Sequence, residues 1–406
     1  MGLVMGLVAA GCSRDVDIKP PTSSSDQDAG QGGDRADRAQ ETLDRLVMAL
    51  RERSAPAAED LATSKASPLL AAVVGNAQSL DLRDLSMRYV DAAPSLSSGR
   101  RAQFGPRAWA ASVELQYAFG GVDTMPARVE TTVVFVPEDG ATRIAGFGGE
   151  DARTPLWLAG RLSVVRRGKV LVAVAGDASG RYPGLAQRAV TQVRRTLPDW
   201  RGPLVVEVPG TREALDAALD ARPGEYDAIA GVTTTEDGSL ASGAPVRVFL
   251  NLDVFGKLAA RGAQVVISHE TTHVATGATF VDMPTWLLEG FADYVALRRA
   301  GVPVSLAAGQ ILPRIRKEGL PRRLPTSADL DPRANGLGAT YEEAWLACRF
   351  LGQEYGARRL VTFYRAVSGG ESQQQAFREV LGTTEKEFVA QWRVDLARLA
   401  GIDTGA

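Results

Sequence analysis

Histidine is almost missing from this chain: its 406 residues include two, His269 and His273, four positions apart. A metal site built on three histidines is therefore excluded. Cysteine is equally scarce, with Cys12 and Cys348 alone. Neither sign of charge is in excess, since 46 Lys and Arg against 48 Asp and Glu leave a formal net charge of −2. The basic footprint of a nucleic-acid binder is thus lacking. Beyond the N-terminus no apolar run is long enough to cross a bilayer, and no internal repeat is evident. What remains is an ordinary globular composition, 45% hydrophobic and 23% charged, in a chain long enough for two domains with full cores.

Residues 1–11 are uncharged and mostly apolar, and Cys12 follows them directly. Ala9, Ala10 and Gly11 before Cys12 resemble a bacterial lipobox, in which the cysteine is lipidated and becomes the new N-terminus. That resemblance implies a signal peptide over residues 1–12, lipidation of Cys12 and a place on the extracytoplasmic face of the cell membrane. A signal peptide ordinarily opens with a positively charged region, so the expected start lies a few basic residues upstream of Met1. Residues 13–35, rich in Ser, Asp, Gly, Gln and Pro, read as a flexible tether. With Cys12 lipidated, Cys348 has no disulfide partner; it lies in an apolar helical pattern and reads as a small buried core residue.

From Arg38 the pattern is helical, with Leu43, Leu46, Val47 and Leu50 at spacings of three and four, and a second helix is expected near residues 69–85. After Trp109 the period falls to two. Strands are predicted at 112–119, 128–136, 156–158 and 162–165, with a turn at 166–169 leading into a strand at 170–174. Helices followed by a curved antiparallel sheet make residues 36–178 an α+β accessory domain, whose element order resembles an NTF2-like cone. A structural or binding role is expected of it. The second domain, residues 179–402, alternates helices (185–197, 212–219) with strands (203–208, 228–232, 246–253). A helix over 256–276 carries the two histidines, and the chain after Thr285 reads as helical, with proline-rich breaks at 313–332.

The two histidines form the motif His269-Glu270-Thr271-Thr272-His273. On a helix, residues four apart lie on one face, so both imidazoles can reach a single Zn²⁺. Glu270 emerges beside that face, where it can act as a general base. A catalytic zinc site takes three protein ligands and keeps one open position. With no third histidine, the remaining ligand must be a carboxylate. The best candidate is Glu289, which a helix starting after Pro284 places one or two turns inside an otherwise apolar segment. Asp282, nearer in sequence but in a loop, is the alternative. Asp293, four residues beyond Glu289, shares its face and can accept the free N–H of a ligating imidazole.

This motif, followed by Trp286-Leu287-Leu288-Glu289-Gly290-Phe291-Ala292-Asp293-Tyr294, resembles the gluzincin metallopeptidases. It is most similar to their aminopeptidase-like branch and to bacterial peptidase MA-like proteins, and it shares with the thermolysin group an Asp four residues after the third ligand. The resemblance covers residues 200–395. It implies a zincin-like catalytic domain in which His269, His273 and Glu289 hold Zn²⁺, Glu270 is the general base and Asp293 orients a ligand. It also places Tyr341 beside the metal, where a phenol donates to the developing oxyanion; the other reading of Tyr341 is a packing aromatic. Fifteen residues separate His273 from Glu289, fewer than in the aminopeptidases, and no segment matches their binding site for a substrate amino terminus.

The expected function is hydrolysis of peptide bonds in a peptide or protein substrate by a metal-activated water, at a membrane surface. The strand at 246–253 is expected to bind substrate by main-chain pairing if it lies at a sheet edge. Two other readings remain: an inactive peptidase-like lipoprotein that works as a binding module, and a zinc hydrolase of a non-peptide amide such as one in the cell wall.

Overall fold

A computed structural model describes residues 26–93, 95–149, 152–331 and 336–402. The expected signal peptide, Cys12 and residues 13–25 of the expected tether lie outside the described residues. The fold is α+β, as the sequence predicts.

The first unit opens with α1 (Asp26–Glu52), α2 (Ala55–Glu59) and α3 (Ser67–Leu80). Helix α1 begins nine residues before the expected end of the tether at residue 35, and Asp34 and Arg38 support it as an ion pair one turn apart. Strand β1 (Leu82–Ala92) follows, then α4 (Ser98–Phe104), β2 (Trp109–Phe119), β3 (Ala127–Glu138) and β4 (Ala141–Phe147). The four strands form an antiparallel sheet in sequence order. Residues 82–85 therefore belong to a strand rather than to the second helix. Asp81 explains the break: it caps α3 in the left-handed conformation (φ 53°), which ends the helix and redirects the chain. Residues 156–158, read as a strand, form a single 3₁₀ turn with Trp157 fully buried.

The second sheet contains β5 (Leu162–Arg167), β6 (Val170–Ala175), β7 (Leu204–Val208), β8 (Gly231–Thr235) and β9 (Val246–Leu250), in the order β5-β6-β7-β9-β8. Between them run α5 (Tyr182–Thr196) and α6 (Arg212–Leu219). Strands β5 and β6 form the expected hairpin, but β6 pairs in parallel with β7 through the α5 crossover. The hairpin thus belongs to the second sheet rather than to the antiparallel sheet of the first unit. Both faces of β6 are covered, as its unbroken apolar run requires. Leu171 and Ala173 join the core of the first unit, while Val172 and Val174 face α5.

Helices α7 (Leu252–Phe255), α8 (Ala260–Thr276), α9 (Thr285–Leu297), α10 (Val304–Ala307) and α11 (Ile311–Glu318) come next. The chain ends in α12 (Leu337–Glu354), α13 (Ala357–Ser368), α14 (Gln373–Leu381) and α15 (Glu385–Ala400). Val266 and Ile267 of α8 pack on the second sheet, opposite the first unit. The helices from α9 onward enclose a separate core around Trp286, Phe291, Trp345 and Trp392. Cys348 is buried there, as expected.

Candidate metal centre

Helix α8 runs without interruption through the histidine motif and stops at Gly277, which adopts φ 65°, a conformation that suits a residue without a side chain. His269 is fully buried and His273 nearly so. Helix α9 crosses beside α8 and brings Glu289, 1% exposed, up to both imidazoles. The two Nε2 atoms stand 2.9 Å apart, and Glu289 Oε2 lies 3.2 Å from His269 Nε2 and 3.5 Å from His273 Nε2. A four-coordinate ion with bonds of about 2.0–2.1 Å has donor–donor edges of about 3.3 Å, so this triangle already has the right size.

The electrostatics point the same way. His269 Nδ1 lies 2.7 Å from Asp293 Oδ1, which fixes the ring and turns its Nε2 toward Glu289. Burial alone would push the His269 pKa down, but the Asp293 and Glu289 charges outweigh it and raise it well above the usual imidazole value. Burial would push the Glu289 carboxyl up; the His273 charge and the contacts from both imidazoles overcome this and hold it at about 2. Both Glu289 oxygens are nevertheless buried without an aligned hydrogen bond among the described residues, so the imidazole approaches are ionic contacts. A buried carboxylate in that condition is costly unless a cation neutralises it. His269, His273 and Glu289 can therefore hold a metal ion, and they are the one such group among the described residues. Asp282 is exposed in the loop before α9 and does not join them.

Glu270 is fully buried at the side of this triangle, against β8. Thr233 Oγ1 donates to Glu270 Oε2 at 2.6 Å, while Oε1 has no hydrogen-bond partner among the described residues. Burial raises the Glu270 pKa, and the neighbouring imidazoles pull it back in part. Gly231 leaves the space this side chain needs, because a Cβ there would sit 3.1 Å from Glu270 Cγ. Tyr341, on the second turn of α12, is buried; burial and the charges of Glu289, Asp293 and Glu270 raise its pKa well above the usual phenol value. Tyr364 on α13 is also buried near Glu289, but its hydroxyl is committed to Thr276 Oγ1 at 3.2 Å.

Strand β9, expected to offer its edge to substrate, is internal, flanked by β7 and β8. The edge belongs to β8, which pairs antiparallel with β9 and has no strand on its other side among the described residues. Thr233, Gly231 and Tyr364 were not legible as site residues. Nothing in the run Gly231-Val-Thr-Thr-Thr235 marks Thr233, because its role depends on which strand ends the sheet.

Removing the Asp293 carboxylate frees the His269 ring. Asp293→Ala is expected to weaken metal binding by about 10–100-fold, and Asp293→Asn, which keeps an acceptor, by less. Competition against a chromogenic chelator reads both; equal affinity in Asp293→Ala and wild type would remove Asp293 from this role.

The chain matches no protein-family model and no curated protein sequence. Its functional reading rests on the geometry of this centre.

Proposed function

We propose that this chain is a zinc-dependent metallopeptidase of the gluzincin type, tethered through Cys12 to the outer face of a bacterial membrane. The observation that carries the reading is the convergence of His269, His273 and Glu289 beside a Glu270 that keeps one carboxylate oxygen free. Two imidazoles and a carboxylate are a donor set that suits zinc and leaves an open position. Zinc, when bound, supplies a Lewis acid for the scissile carbonyl and lowers the pKa of water at the site.

The chain's own residues account for the remaining steps. Thr233 holds Glu270 Oε2, leaving Oε1 to take a proton from an attacking water and deliver it to the leaving amine. Burial raises the Glu270 pKa above the ordinary carboxyl value, which strengthens the group as a proton acceptor. Tyr341, buried within the fields of Glu289, Asp293 and Glu270, is the phenol that would donate to the developing oxyanion. An extended peptide would add as a further strand on the side of β8 that has no strand neighbour among the described residues, next to Glu270.

The test is metal analysis of the purified protein together with hydrolysis of a peptide library. One zinc per chain, activity lost to a chelator and activity restored by zinc are expected. A bound iron would overturn the metal assignment. A zinc-loaded protein that leaves every peptide intact would overturn the peptidase, and cell-wall fragments tested in the same assay separate a non-peptide amidase from a pure binding module.

A further inference from the structure

On the back of β8–β9, away from α8, polar side chains from both sheets meet in a buried cluster. Arg247 on β9, 1% exposed, forks onto Asp123 of the β2–β3 connection at 2.8 Å (Nη1–Oδ1) and 2.7 Å (Nη2–Oδ2). Its Nε lies 3.2 Å from Glu236 Oε2 and 3.4 Å from Glu207 Oε1, and its guanidinium sits 4.3 Å from the Phe119 ring centroid. Tyr117, on β2 of the first sheet, donates its hydroxyl to Glu236 Oε1. Glu236 is the residue immediately after β8. The next residue is held from the same side, where Arg128 N donates to Asp237 Oδ2 at 3.3 Å. The Glu236 carbonyl accepts from Arg153 Nη1 at 3.2 Å.

Burying one arginine with three carboxylates carries a desolvation penalty that apolar packing would avoid, so stability alone is a weak account of it. What the cluster does do is fix the C-terminal end of β8 from the back. Three residues earlier the same strand presents Thr233 to Glu270, and two before that Gly231 fits against it. A strand tied down at Glu236 has little freedom to slide or lift at Thr233.

We infer that the first unit positions the general base: Tyr117 and Asp123, through Glu236 and Arg247, set where β8 stands against α8 and so where Glu270 points. Tyr117 and Asp123 are positioning residues, and they act through β8 without touching substrate. The inference rests on the peptidase reading for its kinetic consequence, though not for its structural one.

Tyr117→Phe removes the hydroxyl donor to Glu236, and Asp123→Asn removes the charge and one of the two oxygens that accept from Arg247, each with almost no change in volume. In the full-length protein, each is expected to speed hydrogen exchange of the β8 amides by about tenfold or more while leaving those of α9 unchanged. Metal content should stay at the wild-type value. A sub-ångström shift of the base is expected to lower kcat by about tenfold with KM within about twofold. Thr233→Val is expected to reproduce that loss and Thr233→Ser to escape it. Tyr117→Phe combined with Thr233→Val should lose little more than either alone, because both break the same chain of contacts. Wild-type exchange at β8 in both single variants overturns the inference, as does a fully multiplicative loss in the double variant. If the wild-type protein hydrolyses no peptide, the peptidase reading fails, and the exchange rates at β8 still decide the positioning claim.

Discussion

Replacing Glu270 by glutamine is expected to reduce peptide hydrolysis by about 10²–10⁴-fold while the protein keeps its metal. The expectation follows from what glutamine retains and what it loses. The side chain has the same shape, so the space beside Gly231 is filled as before. An amide oxygen still accepts the Thr233 hydroxyl, so the group stays in place. What disappears is the capacity to take up a proton. The ligands His269, His273 and Glu289 are untouched, so metal stoichiometry should equal that of the wild type. Stability should change little, because glutamine removes a fully buried charge but sets its amide N–H groups where Oε1 has no hydrogen-bond partner among the described residues. Zinc content, kcat/KM and the unfolding midpoint, measured on one preparation, separate these effects. Hydrolysis at the wild-type rate would remove Glu270 as the base and with it the mechanism.

The group that can hold a metal ion was legible in the sequence because helix periodicity is local. Four-residue spacing puts His269 and His273 on one face whatever surrounds them, and the same rule links Glu289 to Asp293. The scarcity of histidine did the rest, forcing a carboxylate and leaving Glu289 or Asp282; the loop position of Asp282 keeps it exposed and apart. What escaped was non-local. The β5–β6 hairpin has apolar residues on both faces, and nothing in its own pattern says which sheet will recruit it; parallel pairing with β7 decides that. The alternation of β9 shows a strand but not its neighbours, so its internal position, and the edge position of β8, appear only with the sheet order. Thr233 shares that fate. Residues 156–158 look like a strand because they are apolar, yet a three-residue turn buries Trp157 equally well.

Gly290 is the clearest case of a residue whose importance is invisible in sequence, and it yields the second large prediction. By helix propensity, Gly290→Ala in the middle of α9 should stabilise the protein by about 1 kcal/mol. The packing says the opposite. A Cβ at Gly290 would stand 2.4 Å from the Ala344 carbonyl oxygen and 3.0 Å from Cys348 Sγ, both on α12. The nearest obstacle is backbone, so no rotamer change relieves it and the two helices must part. Overpacking of this kind costs about 1–3 kcal/mol or more, which exceeds the propensity gain. The displacement falls where it does most harm, because Glu289 is the adjacent residue and Tyr341 lies one turn before Ala344 on α12. Gly290→Ala is therefore expected to lower the denaturation midpoint of the metal-free protein and to weaken metal binding by about 10–100-fold, the range seen when a ligand loses its support. Gly75→Ala is the control, in the exposed middle of α3 with nothing within 4 Å of the added carbon; there the same substitution should stabilise by about 0.5–1 kcal/mol. Opposite signs at the two glycines, read by urea denaturation and chelator competition, are the expected result. A Gly290→Ala protein as stable and as metal-avid as the wild type would mean that α9 and α12 have room between them, and that the close crossing does not set Glu289 in place.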